Sequence, residues 1–326
     1  MTEITITPIE DKTFGAAVTG VHLGSLTDEQ FATIHSALLS YGFLYFPRQF
    51  LSEQENVAFG ARFGELEFGG IPMSNQRRLK EAEYGEVFDI DSQIMRTNLG
   101  NEAWHTDSTY KPISSKCAML SAVTVPDEGG ETELADARAA YEALDQATKE
   151  KIEHLAAYHS TQYSQANDVG DFPPARPDSV YSGEAYLRPL VKVHPETGRK
   201  SIFVARHAFG IPGLTREESR ALIKSLTDFI VSDAARVYVH RWRAGDTLIW
   251  DNRCLLHRAR PYDYAAPRVL TGTRVAGEPE SELAYYPTDP EAEAGRRALA
   301  AELALLKEEV RDRRYGGTTA AVPVKI

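Results

Sequence analysis

Cysteine is scarce in this chain. Its two residues, Cys117 and Cys254, lie far apart and show none of the short spacings of a zinc site. A disulfide-stapled scaffold is thereby excluded, and a cytoplasmic protein with reduced thiols is predicted. Long apolar runs are missing as well; none approaches the roughly 20 residues that a bilayer-spanning helix needs. The opening residues, MTEITITPIEDKTFG, lack the basic start and apolar stretch of a secretory leader, so none is expected. The chain also lacks an excess of positive charge. With 36 Lys and Arg against 47 Asp and Glu, its formal net charge is −11. That argues against a nucleic-acid partner, yet leaves room for a small anionic substrate held by a few arginines in a cleft. Internal repeats and long low-complexity tracts are absent too.

What is present is an ordinary globular composition, 42% hydrophobic and 25% charged over 326 residues, enough for one large domain or two. GAAVTGVHLGSLTDEQFATIHSALLSYGFLYFP reads as strand, turn, helix and strand, with Thr27 as N-cap and Phe31, Ile34, Leu38 and Leu39 on one face. SEQENVAFGARFG reads as a second helix opened by Ser52. Residues 66–100 are polar with weak periodicity and read as long loops, a length often used for lids. CAMLSAVTV is a strand, and residues 136–159 read as helical throughout. Residues 166–187, rich in Pro and Gly, read as loop. Short strand candidates follow: PLVKVH, SIFVA, RVYVHRW, DTLIW and RVLTGTRVAG. The pattern predicts a mainly β protein, a double-stranded β-helix (jelly roll) flanked by helices. It divides into a catalytic domain over residues 1–278 and a C-terminal helical extension over 279–326. In the extension, Leu299, Leu303, Leu306 and Val310 form an apolar stripe that would serve either a homo-oligomer contact or a strap on its own domain. The final residues, GGTTAAVPVKI, read as loose.

The chemistry begins at EAWHTDSTY. On an extended strand, residues i and i+2 share a face, so His105 and Asp107 would offer a nitrogen and an oxygen to one point. A bare His-x-Asp is weak evidence, since a strand with a polar face explains it equally well. GDTLIWDNRCLLHRARPYDYAAPRVLTGTR then supplies His257, with Arg268 eleven residues later. Two imidazoles and one carboxylate are the facial triad that leaves three positions of Fe(II) open. A 2-oxo acid could take two of these and O₂ the third, while an arginine suits the acid's far carboxylate. Singly, His257 fits a core histidine and Arg268 an exposed strand arginine; their joint order and spacing carry the argument.

The chain here resembles the taurine / 2,4-dichlorophenoxyacetate dioxygenase family of Fe(II)- and 2-oxoglutarate-dependent oxygenases, from about residue 4 to 277. The resemblance rests on GAAVTGVHL, WHTDSTY, GGETELAD, VKVHPETGRKSIFV and WDNRCLLHRARPYD followed by PR. Within the family the chain looks most similar to the bacterial phenoxyalkanoate dioxygenases. The resemblance implies His105, Asp107 and His257 as iron ligands, Thr132 and Arg268 on the distal carboxylate of 2-oxoglutarate, and Asn101 near substrate. Trp104 and Trp250 read as packing residues, and His22, His35, His154, His159, His194 and His240 as structural or surface. One departure is informative. Taurine dioxygenases carry a second arginine, for the sulfonate, where this chain has Gly272, so taurine is not the expected substrate. Arg274, Arg206 and His207 are the candidates for holding a substrate anion.

The implied activity is hydroxylation of an unactivated C–H of a small anionic substrate with Fe(II), 2-oxoglutarate and O₂, giving succinate and CO₂. A phenoxyalkanoate would be opened to a phenol and an oxo acid. The alternative keeps these cofactors for hydroxylation, desaturation or ring closure in natural-product biosynthesis, and a zinc hydrolase on the same triad is the remaining reading.

Overall fold

Helices begin where the sequence supplies caps. Thr27 with Gln30, Ser52 with Glu55 and Thr215 with Glu218 each form a reciprocal capping box, opening Asp28–Tyr41, Glu53–Ala61 and Arg216–Val231. The computed structural model describes residues 3–285 and 290–315; the 316–326 tail expected to be loose lies outside them. No helix among the described residues is long and apolar enough to cross a membrane.

A seven-stranded sheet runs in the order Thr5–Pro8, Ala16–Thr19, Phe43–Phe46, Thr247–Asp251, Ser115–Thr124, Val269–Ala276 and Leu66–Ser74. Facing it is a three-stranded sheet of Val237–His240, Thr132–Asp136 and Leu255–Ala259. Phe43, Leu248 and Trp250 of the first sheet and Leu134 and Leu255 of the second pack together with Phe14 between them. The outer face of the large sheet is covered by Ile34 and Leu38 of the first N-terminal helix, Phe59 of the second and Phe63 just beyond it. Leu222, Ile223, Leu226 and Ile230 of Arg216–Val231 cover the small one over Ala135 and Leu256. The result is a jelly-roll core with helices outside both sheets.

Three expectations need correction. Residues 66–100 are not long loops. Leu66–Ser74 is the edge strand beside Val269–Ala276, Gln76–Lys80 and Glu83–Val87 form a hairpin, and Gln93–Gly100 is a helix. The hairpin is mostly exposed, so no apolar alternation announces it. Residues 136–159 are not helical throughout. Ala137–Ala143 stops at Leu144, Asp145 caps Gln146–Ile152, and Ala156–His159 is a strand paired with Tyr186–Pro189. Nor does the 166–187 stretch begin as loop, because Gln165–Val169 is one π-helical turn. The helix Pro290–Tyr315 lays Leu299 and Leu306 on Tyr163, Ala166, Ala185 and Phe209 of the same chain, with Leu303 partly buried alongside. The stripe is thus a strap on its own domain.

Candidate metal centre and oxo-acid pocket

His105 is not on an extended strand, as its spacing from Asp107 suggested. It forms an isolated antiparallel bridge to His257, each N–H donating to the other's carbonyl at 2.9 and 2.8 Å. The chain then turns, and Ser108 adopts φ +57°, in the left-handed region that non-glycine residues rarely occupy. Ser108 is held there by its hydroxyl, which lies 2.7 and 2.9 Å from the two Glu67 carboxylate oxygens. Turn and bridge together bring ligating atoms of His105, Asp107 and His257 within 4.8 Å of one another, all three buried.

Each donor is prepared by its neighbours. His105 Nδ1 lies 2.8 Å from the Ala103 carbonyl, to which it donates, so Nε2 keeps a free lone pair. Burial pushes the His105 pKa well down, and the charge of His257 adds to this. Burial also lowers His257, whose Nδ1 has no hydrogen-bond partner among the described residues. Burial alone would raise Asp107, but Arg274, His257 and His105 hold its carboxyl below the usual range. Two neutral imidazoles beside an ionised carboxylate are the donor set that suits Fe(II). Asp107 Oδ1 accepts from Arg274 at 2.6 Å and Oδ2 from Asn252 at 3.3 Å. Asn252 is in turn fixed by Trp250 Nε1 and Ser115.

A cavity opens from the triad between the two sheets. Thr132, Arg268, Asn101 and Arg274 all line it. Trp242 Nε1 donates to Thr132 Oγ1 at 3.0 Å, which leaves the hydroxyl proton free for an acceptor in the cavity. Arg268 donates to the Gly130 carbonyl at 2.9 Å, its Nε is buried without a partner, and no carboxylate among the described residues pairs with it. Burial accordingly lowers its pKa. Gly130 sits at φ +68°, and a Cβ there would lie 3.0 Å from Arg268 Nε. An unpaired guanidinium beside a free hydroxyl is a seat for a carboxylate.

The remaining predicted residues are placed differently. Arg274 is buried against Asp107 and, at 3.5 Å, Glu67. Arg206 pairs with Asp168 at 2.9 Å and donates to the Gly100 carbonyl; it lines a neighbouring surface pocket rather than this cavity. His207 stands behind His105, ring centroids 6.1 Å apart, with Nδ1 hydrogen-bonded to Ser164. Sequence reasoning missed Asn252, Trp242 and Glu67. Asn252 lies inside the quoted WDNRC stretch, so proximity to the motif was its signal; Glu67 and Trp242 had none, because their partners are distant in sequence.

Residues 5–274 match the family described as taurine catabolism dioxygenase TauD, TfdA family. The chain is 45% identical over 280 residues to a Sphingobium herbicidovorans protein named (S)-phenoxypropionate/alpha-ketoglutarate-dioxygenase, covering 84% of this chain and 96% of that one. It is 37% identical over 248 residues, 70% of this chain and 82% of the other, to an alpha-ketoglutarate-dependent 2,4-dichlorophenoxyacetate dioxygenase of Cupriavidus pinatubonensis. Among solved structures, AAD-2 in complex with Mn(II) and N-oxalylglycine superposes with a TM-score of 0.78 at 36% identity, covering 84% of this chain and 97% of that one. The chain belongs to the TauD, TfdA family and is a 2-oxoglutarate-dependent non-haem iron dioxygenase.

Proposed function

We propose that this enzyme hydroxylates the carbon bearing the ether oxygen of a 2-aryloxyalkanoate, whose product collapses to a phenol and an oxo acid. The 45% identity to a dioxygenase named for (S)-phenoxypropionate carries the reading. It disfavours the natural-product alternative, and membership of an oxygenase family leaves the zinc hydrolase without support.

His105, Asp107 and His257 would hold Fe(II), and Arg268 with Thr132 would seat the distal carboxylate of 2-oxoglutarate. Bound iron and 2-oxoglutarate supply oxidative decarboxylation coupled to removal of a substrate hydrogen, giving succinate and CO₂ with O₂ consumed. The protein's part is placement and exclusion of water. Phe68, Met73, Met119, Leu120 and Leu270 give the cavity apolar walls, which suit an aryl ring. Of the candidates for contacting substrate, Asn101 and Arg274 line the cavity, whereas Arg206 and His207 do not. The enzyme acts in the cytoplasm on a diffusible small molecule, without nucleic acid. Buried free thiols and the −11 charge support this. Residues 1–278 are the catalytic domain and 279–326 an extension.

The test starts anaerobically: Fe(II), then 2-oxoglutarate, read as the weak visible band of the chelate. Air and (S)-2-phenoxypropionate should then yield phenol and succinate in equal amounts. A band without phenol would refute the substrate, and well-folded protein without a band would refute the metal assignment.

A further inference from the structure

The helix Pro290–Tyr315 lies beyond residue 274, where the family match ends, yet its contacts lead back to the metal site. Leu299 and Leu306 are both buried on Tyr163 and Ala166. Gly295 lets the helix approach closely, since a Cβ there would stand 2.4 Å from the Ala185 carbonyl oxygen. Glu302 receives Arg216 through two bonds of 2.8 and 2.9 Å, and Glu309 takes its third nitrogen at 2.6 Å. The helix is thereby tied to Arg216–Val231 and pressed onto the Thr161–Val169 stretch.

That stretch is irregular. Thr161–Ser164 is a single α-turn and Gln165–Val169 a π-turn, a form that recurs at functional sites. It carries the partners of Arg206 and His207, two residues that contact the 100–105 segment. Ser164 Oγ is bonded to His207 Nδ1 at 2.8 Å, and Asp168 pairs with Arg206. Arg206 in turn holds the Gly100 carbonyl through its guanidinium, and its N–H donates to the Trp104 carbonyl at 3.1 Å. His207 packs edge-on against His105. The route from the helix to the ligand therefore runs through Tyr163 and Ala166, then Ser164 and Asp168, then Arg206 and His207, to the 100–105 segment.

We propose that the C-terminal helix is a positioning strap for the His105 side of the metal centre, acting through Ser164 and Asp168. The proposal rests on the metal reading above but on no particular substrate. It follows that loosening the helix weakens metal binding while the rest of the fold stands.

The experiment is Mn(II) titration of the full chain, with melting temperature recorded in parallel. Leu306→Ala and Arg216→Ala, which unseat the helix by different means, should each raise the Mn(II) Kd by about 10-fold, the low end for losing a residue that orients a ligand. Ser164→Ala should do the same. Combined with Leu306→Ala it should add less than the product of the two single effects, because both act on one route. Variants that melt earlier yet bind Mn(II) with the parent Kd would overturn the strap, as would fully multiplicative effects. Should Leu306→Ala not fold, Arg216→Ala, at a partly exposed site, carries the same two outcomes. A parent chain that takes up no Mn(II) would remove the metal reading and the strap together, which separates the two failures.

Discussion

Two arginines stand at opposite ends of the strand Val269–Ala276, Arg268 just outside it and Arg274 within it, and their surroundings are opposite. Arg268, just before the strand, touches a carbonyl and a cavity, with no carboxylate among the described residues. Arg274, near its end, is buried between Asp107 at 2.6 Å and Glu67 at 3.5 Å, with Phe68 under its guanidinium. A cation left without a counter-ion in a buried pocket is costly unless a visiting anion neutralises it. A cation already neutralised by a metal ligand is part of that ligand's scaffold. The comparison teaches that residue type and strand position do not set the role; the resident charges do. It also shifts Arg274 from substrate anchor toward holding Asp107 in place.

The contrast can be broken most severely at Asp107. Asp107→Ala removes a donor and strands Arg274, and losing one partner of a buried pair costs about 3–5 kcal/mol. Turnover should vanish, Mn(II) binding should be lost and the melting temperature should fall; normal activity would refute the triad. The two arginines then make a crossed test by titration. Arg268→Ala should raise the 2-oxoglutarate Kd by about 100-fold, as expected for a buried charge partner, and leave the Mn(II) Kd within about 3-fold. Arg274→Met should reverse the pattern, raising the Mn(II) Kd by about 10-fold or more with a smaller effect on 2-oxoglutarate. Equal patterns would dissolve the distinction. Thr132→Val, which deletes one hydrogen bond, should cost about 1 kcal/mol of 2-oxoglutarate binding, measured the same way.

The contrast of partnered with unpartnered groups extends to the histidines. His194 is buried against Asp251 at 3.0 Å, whereas His159 has no partner among the described residues for either ring nitrogen, and burial lowers its pKa to about 3. The folded His159 stays neutral while the unfolded one protonates below about 6.5. Its contribution is therefore whole above that pH and is lost as pH falls toward 3. In urea melts, His159→Phe should flatten the acid limb by about 1.4 kcal/mol per pH unit; an unchanged slope would place the proton uptake elsewhere.

Legibility in the sequence followed the range of the causes. Caps at Thr27 and Ser52 were readable because a cap and its helix are neighbours. That His105, Asp107 and His257 come together, with Arg268 on the same cavity, was readable because the proposed chemistry needs fixed residue types, even though the local geometry expected at His105 was wrong. Residues 66–74 were misread because their order comes from pairing with a strand some two hundred residues later, through contacts such as Met73 to Leu270, and the hairpin after them because it is mostly exposed. Residues 156–159 look helical by composition and become a strand only because Tyr186–Pro189 lies alongside. Which arginine would find a counter-ion was unreadable for the same reason: Glu67 and Asp107 reach Arg274 only in three dimensions.

The reciprocal bridge between His105 and His257 has a practical consequence for redesign. Two of the three donor positions are set by main-chain pairing, so their separation belongs to the sheet and would outlast exchange of the side chains they carry. The third hangs on the Ser108 turn, whose uncommon backbone angle depends on one hydroxyl and the Glu67 carboxylate. Anyone refitting this centre for another metal should leave the paired positions alone and adjust the turn, because its geometry is set by side chains that can be exchanged.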